Sequence, residues 1–169
     1  VDRTELERLQ ESYDAVLVAT GLQKLTNVDF ACDDGAVTQG LDFLNEVRHG
    51  DVHISGEDVV VVGGGNTAID SARSAWRLGA KNVTVVYRRT RAEMPAISDE
   101  VDEAINEGIS FRFLLSPIKI QSRHGSHALV CQQMELGPAD PDGRRKPVPV
   151  PGKVIEIACN RVLLALGQS

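Results

Sequence analysis

Three consecutive glycines, Gly63-Gly64-Gly65, follow the run Asp58-Val59-Val60-Val61-Val62 and precede Asn66-Thr67-Ala68. Gly63, Gly65 and Ala68 keep the spacing G-x-G-x-x-G/A. In that pattern the first glycine permits a tight strand-to-helix turn, the second lets backbone approach a pyrophosphate, and the small third residue lets helix and strand pack closely. The helix that follows supplies free N–H groups and the positive end of its dipole, so Gly64, Gly65, Asn66 and Thr67 are expected to face phosphate through their backbone. One strand later come Arg88, Arg89 and Arg91, with no carboxylate until Glu93. An acid at that place hydrogen-bonds a ribose 2′-hydroxyl, whereas arginine accommodates a 2′-phosphate with its planar fork of donors. The chemistry implied is binding of a phosphorylated dinucleotide, NADP(H). S-adenosylmethionine, which wants an acid for its ribose, and the ADP half of FAD, which has no 2′-phosphate, fit less well. A plain packing turn and a solvated basic turn are the alternatives.

The elements that must position these groups are legible. Four valines in a row suit a strand buried on both faces of a parallel sheet. A helix over 66–78 places Ala68, Ile69, Ala72, Ala75 and Trp76 on one face and Arg73 and Arg77 on the other, with Gly79 as its stop. Val83 to Tyr87 makes the second strand of a βαβ unit. After the arginines, Ser98 is expected to cap a helix whose Val101, Ala104 and Ile105 face the sheet and which Gly108 ends. Ile109, Phe111, Phe113 and Leu115 alternate as a third strand. From Ile118 to Ile157 short alternating strands read as an antiparallel meander, turning at His124-Gly125-Ser126-His127. Within it, residues 137–153 are expected to form a long hairpin loop, with Pro147 to Gly152 extended and exposed. Val162 to Leu166 returns to the parallel sheet, so Ala165 to Gln168, Gly167 among them, lie at a strand's carboxyl end and near the nicotinamide half of a dinucleotide. Upstream, a helix over Thr4 to Ser12 packs Leu6 and Leu9 inward and a strand runs from Asp14 to Ala19. A mostly irregular connection follows, with a helix around Leu41, Leu44 and Val47 closed by Gly50. The division expected is a connector over 1–56 and a dinucleotide-binding domain over 57–169.

A net charge of −6 argues against nucleic acid or an anionic membrane as partner, because phosphate backbones need a broad basic surface. Cys32, Cys131 and Cys159 are far apart and odd in number, which fits inert reduced thiols in a cytoplasmic protein rather than a disulfide framework or a metal site. His49, His53, His124 and His127 lack a helical metal-ligand spacing. Apolar stretches are short and interrupted by charge, so neither a leader nor a membrane span is expected.

Val61-Val62-Gly-Gly-Gly-Asn-Thr-Ala-Ile-Asp70 followed by Val86-Tyr-Arg-Arg-Thr-Arg-Ala-Glu-Met-Pro-Ala96 resembles the NADPH-binding domain of the glutamate synthase small (beta) subunit and its iron-sulfur flavoprotein relatives. Tyr13 to Gly21, Met134 to Pro138, Gly143 to Val148 and Val162 to Gln168 extend the likeness over nearly the whole chain. The resemblance implies an α/β, Rossmann-like three-layer fold with a parallel sheet and an antiparallel β-meander, as in the NAD(P)-binding domains of FAD/NAD(P)-linked reductases. It also implies a parent flavoprotein in which NADPH passes a hydride to FAD and on to iron-sulfur clusters, with a larger oxidoreductase subunit as a partner. FAD and the clusters are expected in that parent and not in this chain, which reads as an excised NADPH module with a flavin-domain strand (14–19) at its front, inactive alone. No catalytic residue is expected, since hydride transfer asks the protein for positioning and exclusion of water. Glu93 and Met94 are expected to fix the arginine loop. The rival reading is a domain that senses NADP or docks subunits without redox chemistry.

Overall fold

The computed structural model describes residues 2–17, 35–123, 126–139, 143 and 145–167. In chain order the elements are α1 (Arg3–Ser12), β1 (Val37–Gln39), α2 (Gly40–His49), β2 (Asp58–Gly63), α3 (Asn66–Arg77), β3 (Asn82–Tyr87), a 3₁₀ turn (Arg91–Glu93), α4 (Ser98–Asn106), β4 (Ser110–Phe113), β5 (Leu115–Arg123), β6 (Ser126–Ala139), β7 (Arg145–Cys159) and β8 (Arg161–Ala165). Five strands form a parallel sheet in the order β1-β8-β2-β3-β4, and β5-β6-β7 form a separate antiparallel sheet.

The valine run explains the layering. Successive side chains of a strand point to opposite faces, and β2 divides accordingly. Val59 and Val61 join Ile69, Ala72, Ala75, Phe43, Val101 and Leu163 in a core between the sheet and helices α2, α3 and α4. Val60 and Val62 join Leu129, Cys131, Val162 and Leu164 in a second core, between the parallel sheet and the meander. The order is therefore helices, parallel sheet, antiparallel sheet.

Several local expectations change. The segment read as an irregular connector supplies β1, which pairs Val37 to Gln39 with Val162 to Leu164, and buries Phe43 and Ile54 in the helix-side core. In α2, Phe43 is the fully buried residue while Leu41 is exposed, because the helix meets the sheet along the Gly40–Phe43 edge. In α4, Val101 and Ala104 are buried but Ile105 faces outward, and Ile97 rather than Ser98 occupies the cap position. No residue of α1 is buried, Leu6 and Leu9 included. Of the strand expected over 14–19, residues 14–17 are irregular and 18–19 lie outside the described residues.

The largest difference concerns residues 137–153. They are not a loop: β6 and β7 remain paired through Met134–Pro149, Glu135–Val148, Leu136–Pro147 and Ala139–Arg145. Prolines at alternate positions 147, 149 and 151 keep their missing N–H groups on one side of β7, and β7 is an outer strand, where proline is tolerated. Polar composition without an apolar period here marks a two-stranded arm with little to bury.

Candidate functional site

The three glycines have three different reasons to be glycine. At Gly63 (φ +154°) an added Cβ would stand 3.0 Å from the Ala165 carbonyl carbon and closer still to its oxygen, so β8 leaves no room for a side chain. At Gly64 it would stand 2.5 Å from Cδ2 of Tyr87, whose ring lies against the turn. At Gly65 the nearest atom would be Pro95 Cγ, 3.9 Å away, and its extended backbone (φ −94°, ψ 179°) is open to any residue. Among the described residues nothing comes nearer than that Pro95 carbon.

Gly65 is also the cap of α3 and offers no side chain to it. The N–H groups of Ala68 and Ile69 reach the Gly65 carbonyl at 2.9 and 3.3 Å, while those of Gly65, Asn66 and Thr67 meet no acceptor among the described residues. Unspent N–H donors at a helix start favour negative charge. Asn66 is exposed, and its Oδ1 accepts from the Ile97 N–H at 3.0 Å. Ala68 is fully buried in the core and packs beside Gly63, so of the expected contacts it serves the fold alone.

The arginines also separate. Arg88 is exposed and its guanidinium has no partner among the described residues. Arg89 is half-buried, and its Nε–H donates to the Arg145 carbonyl at 2.8 Å. Arg91 is paired with Asp102 at 2.5 Å. Behind them the loop is fastened to the glycine turn. Glu93 forms a capping box with Thr90, accepting from the Thr90 N–H at 3.1 Å and from its hydroxyl. The Tyr87 hydroxyl donates to the Glu93 carbonyl at 2.8 Å, and the Ala96 N–H to the Gly64 carbonyl at 3.1 Å. Met94 packs on the helix-side core. The structural role expected for Glu93 and Met94 is thus visible.

Between turn and loop lies a cleft of about 550 Å³, within the usual size of a small-molecule site. Gly63, Gly64, Gly65, Thr67, Arg88, Arg89 and Gly167 all line it; Asn66 and Ala68 do not. Gln168 lies outside the described residues. Sequence reasoning missed Tyr87 and Pro95, and also Leu115 to Pro117, which complete the wall. The last three follow β4, so the preference of ligands for the carboxyl ends of parallel strands, applied to Val162–Leu166, would have found them too.

Cys131 and Cys159 are buried and in no disulfide, and burial, aided by Cys159, pushes the Cys131 thiol up to about 12. Among the described residues no three His, Cys, Asp or Glu side chains gather as a metal site, and no helix is long and apolar enough to cross a membrane.

The profile of the pyridine nucleotide-disulphide oxidoreductases matches residues 2–169. The chain belongs to that family. Within it, the chain is 42% identical over 169 residues to the NADP(+)-dependent formate dehydrogenase subunit beta of Moorella thermoacetica, covering 97% of this chain and 24% of that protein. It is 41% identical to the NADPH-Fe(3+) oxidoreductase subunit beta of Geobacter sulfurreducens, over 96% of this chain and 25% of the relative. The glutamate synthase [NADPH] small chain of Halomonas elongata is 35% identical over 95% of this chain and 36% of its own length, in keeping with the resemblance read from the motifs. The chain thus spans about a quarter of the first two relatives. In fold it is similar to FprA from Mycobacterium tuberculosis, solved in complex with NADPH, with a TM-score of 0.74 at 21% identity, over 96% of this chain and 52% of FprA. Thioredoxin reductase from T. acidophilum is similar at a TM-score of 0.62 and 16% identity, over 88% of this chain and 42% of its own.

Proposed function

We propose that this chain is the NADPH-holding part of a flavin-dependent oxidoreductase. One observation carries the reading: open space before Gly65, unspent N–H groups at the start of α3 and the free Arg88 guanidinium all face one cleft. The names of the relatives, which include NADP and NADPH oxidoreductase subunits, support it.

In this reading the N–H groups of Gly65, Asn66 and Thr67 hold the pyrophosphate and Arg88 and Arg89 hold the 2′-phosphate. The carboxyl end of β8, Ala165 to Gly167, flanks the nicotinamide half. NADPH supplies a hydride at nicotinamide C4; FAD and iron-sulfur clusters belong to parts of the parent protein beyond this chain, and a larger oxidoreductase subunit is the onward partner. Residues 57–169 form the nucleotide-binding unit, with β1 completing its sheet and α2 packing on one face of it. The chain's own residues fix and orient the dinucleotide, and the wall made by Tyr87, Leu115 and Pro117 shields one side of it from water.

The test is calorimetry with NADPH and NADH on the wild type and on Arg88→Ala/Arg89→Ala. Charge-assisted hydrogen bonds contribute roughly 1.5–3 kcal/mol each, so two supply a preference for NADPH on the order of a hundredfold, less at high salt. The double variant should lose most of that preference and little NADH affinity. Equal wild-type affinities, or an equal loss for both nucleotides, would refute the assignment.

A further inference from the structure

One residue of the β6–β7 arm, Arg145, contacts Arg89 of the cleft wall, and it uses its side chain and its carbonyl in different directions. The guanidinium turns back onto its own arm: Nη2 donates to the Leu136 carbonyl at 2.6 Å and Nε to the Gly137 carbonyl at 3.2 Å. The register between the strands shifts from Leu136 to Ala139, which interrupts the ladder beside both carbonyls. Gly137 has to be small, because a Cβ there would stand 2.8 Å from Cγ2 of Val148. The Arg145 fork therefore bridges the place where the register shift interrupts the ladder, and it sets where the Arg145 backbone lies.

That backbone carbonyl accepts the Nε–H of Arg89 at 2.8 Å, while the Arg89 carbonyl accepts from the Leu114 N–H at 3.1 Å. Arg89 is thus held at both ends. An arginine whose Nε is engaged has its plane fixed and presents its terminal nitrogens as a preset fork, so less rotamer entropy is lost when a phosphate arrives.

We infer that Arg145 is a positioning residue for 2′-phosphate selectivity: by bridging the bulge in the β6–β7 arm it holds its carbonyl where that carbonyl orients Arg89. The inference rests on the NADPH reading above and adds a residue that touches no ligand.

The test uses 2′,5′-ADP, which carries the 2′-phosphate, and 5′-ADP, which does not, titrated into the 169-residue chain. Arg145→Ala should weaken 2′,5′-ADP roughly tenfold and leave 5′-ADP within about twofold. In an Arg89→Ala background the same change should cost 2′,5′-ADP nothing more, the non-additivity expected of residues acting through one another. Arg89→Lys, which keeps the charge but loses the Nε–H, should fall nearly as far as Arg89→Ala, which keeps the proposal testable if Arg145→Ala melts the arm. Undiminished 2′,5′-ADP binding by Arg145→Ala, a fully additive double variant, or an Arg89→Lys that binds like wild type would each overturn the positioning role alone. A wild type that fails to prefer 2′,5′-ADP over 5′-ADP would instead overturn the NADPH reading.

Discussion

Replacing each of the three glycines by alanine separates packing from ligand contact, because the same methyl group meets a backbone carbonyl, an aromatic ring or nothing. At Gly63 the methyl collides with the Ala165 carbonyl on the neighbouring strand β8, and the residue has φ +154°. Overpacking typically costs 1–3 kcal/mol and an unfavourable backbone region a further 1–3 kcal/mol, so a loss of about 3–5 kcal/mol is expected. For a chain of this size that lowers Tm by roughly 10 °C or more. At Gly64 the methyl displaces the Tyr87 ring, whose hydroxyl holds the Glu93 carbonyl; Gly64→Ala should therefore lose both stability and nucleotide selectivity as the arginine loop loosens.

Gly65→Ala is the informative member. Its backbone suits alanine, and the reduced freedom of the unfolded chain favours the change by about 0.4–1 kcal/mol. Gly65 is also a helix cap, where alanine is worse than glycine by a similar amount, so the two nearly cancel and Tm should move by no more than about 3 °C. The methyl, however, enters the space through which a pyrophosphate would reach the N–H groups of Gly65, Asn66 and Thr67. Two such charge-assisted bonds lost amount to roughly 3 kcal/mol, a hundredfold or more in Kd. Thermal melts and NADPH titrations of the three variants decide the matter. Full NADPH affinity in Gly65→Ala would show that no phosphate sits there, and a Gly63→Ala that melts with the wild type would refute the packing argument.

Two further outcomes follow from the charged and thiol groups. Arg73 and Arg77 of α3 both grip Glu107 at 2.8 Å, and those bonds, Arg73 first, hold its carboxyl below the usual carboxylate range. Stability from that depressed group is complete above a pH of about 4.3 and fades as pH falls through the lower folded value, so Glu107→Gln should lower Tm at neutral pH and the gap should narrow in acid. A gap constant from pH 7 to pH 3 would contradict this. Cys131, pushed up by burial to about 12, should resist iodoacetamide at pH 8 in the native protein and react in urea, as peptide mass spectrometry would show; rapid native labelling would contradict its burial.

The half of the fold around the glycine turn was legible because its signals are local. A doubly buried strand, a glycine turn and an amphipathic helix each occupy consecutive residues, and β2, α3 and β3 lie where the pattern places them. What escaped depends on partners far away in sequence. β1 is a short Val-Thr-Gln strand whose identity comes from pairing with Val162 to Leu164. The arm over 137–153 has loop-like composition, and an arginine fork bridges the place where a register shift interrupts its ladder. The exposure of Ile105 follows from where α4 meets α3, a contact that helical spacing does not fix.

Within the site the same limit takes a sharper form. Residue type grouped three glycines and three arginines as if each set had one role, whereas the backbone separates them. Gly63 answers to β8, Gly64 to Tyr87 and Gly65 to empty space. Arg91 is spent on Asp102, Arg89 is oriented by Arg145, and Arg88 is uncommitted. Among the described residues, the groups without a protein partner at Gly65, Thr67 and Arg88 are ones a ligand can use, and all three residues line one cleft. A bare packing turn gives Gly65 no reason to be glycine, and a solvated basic turn gives Arg89 no reason to be tied at both ends while Arg88 stays free. The proposed binding of a dinucleotide with a 2′-phosphate gives a reason for both.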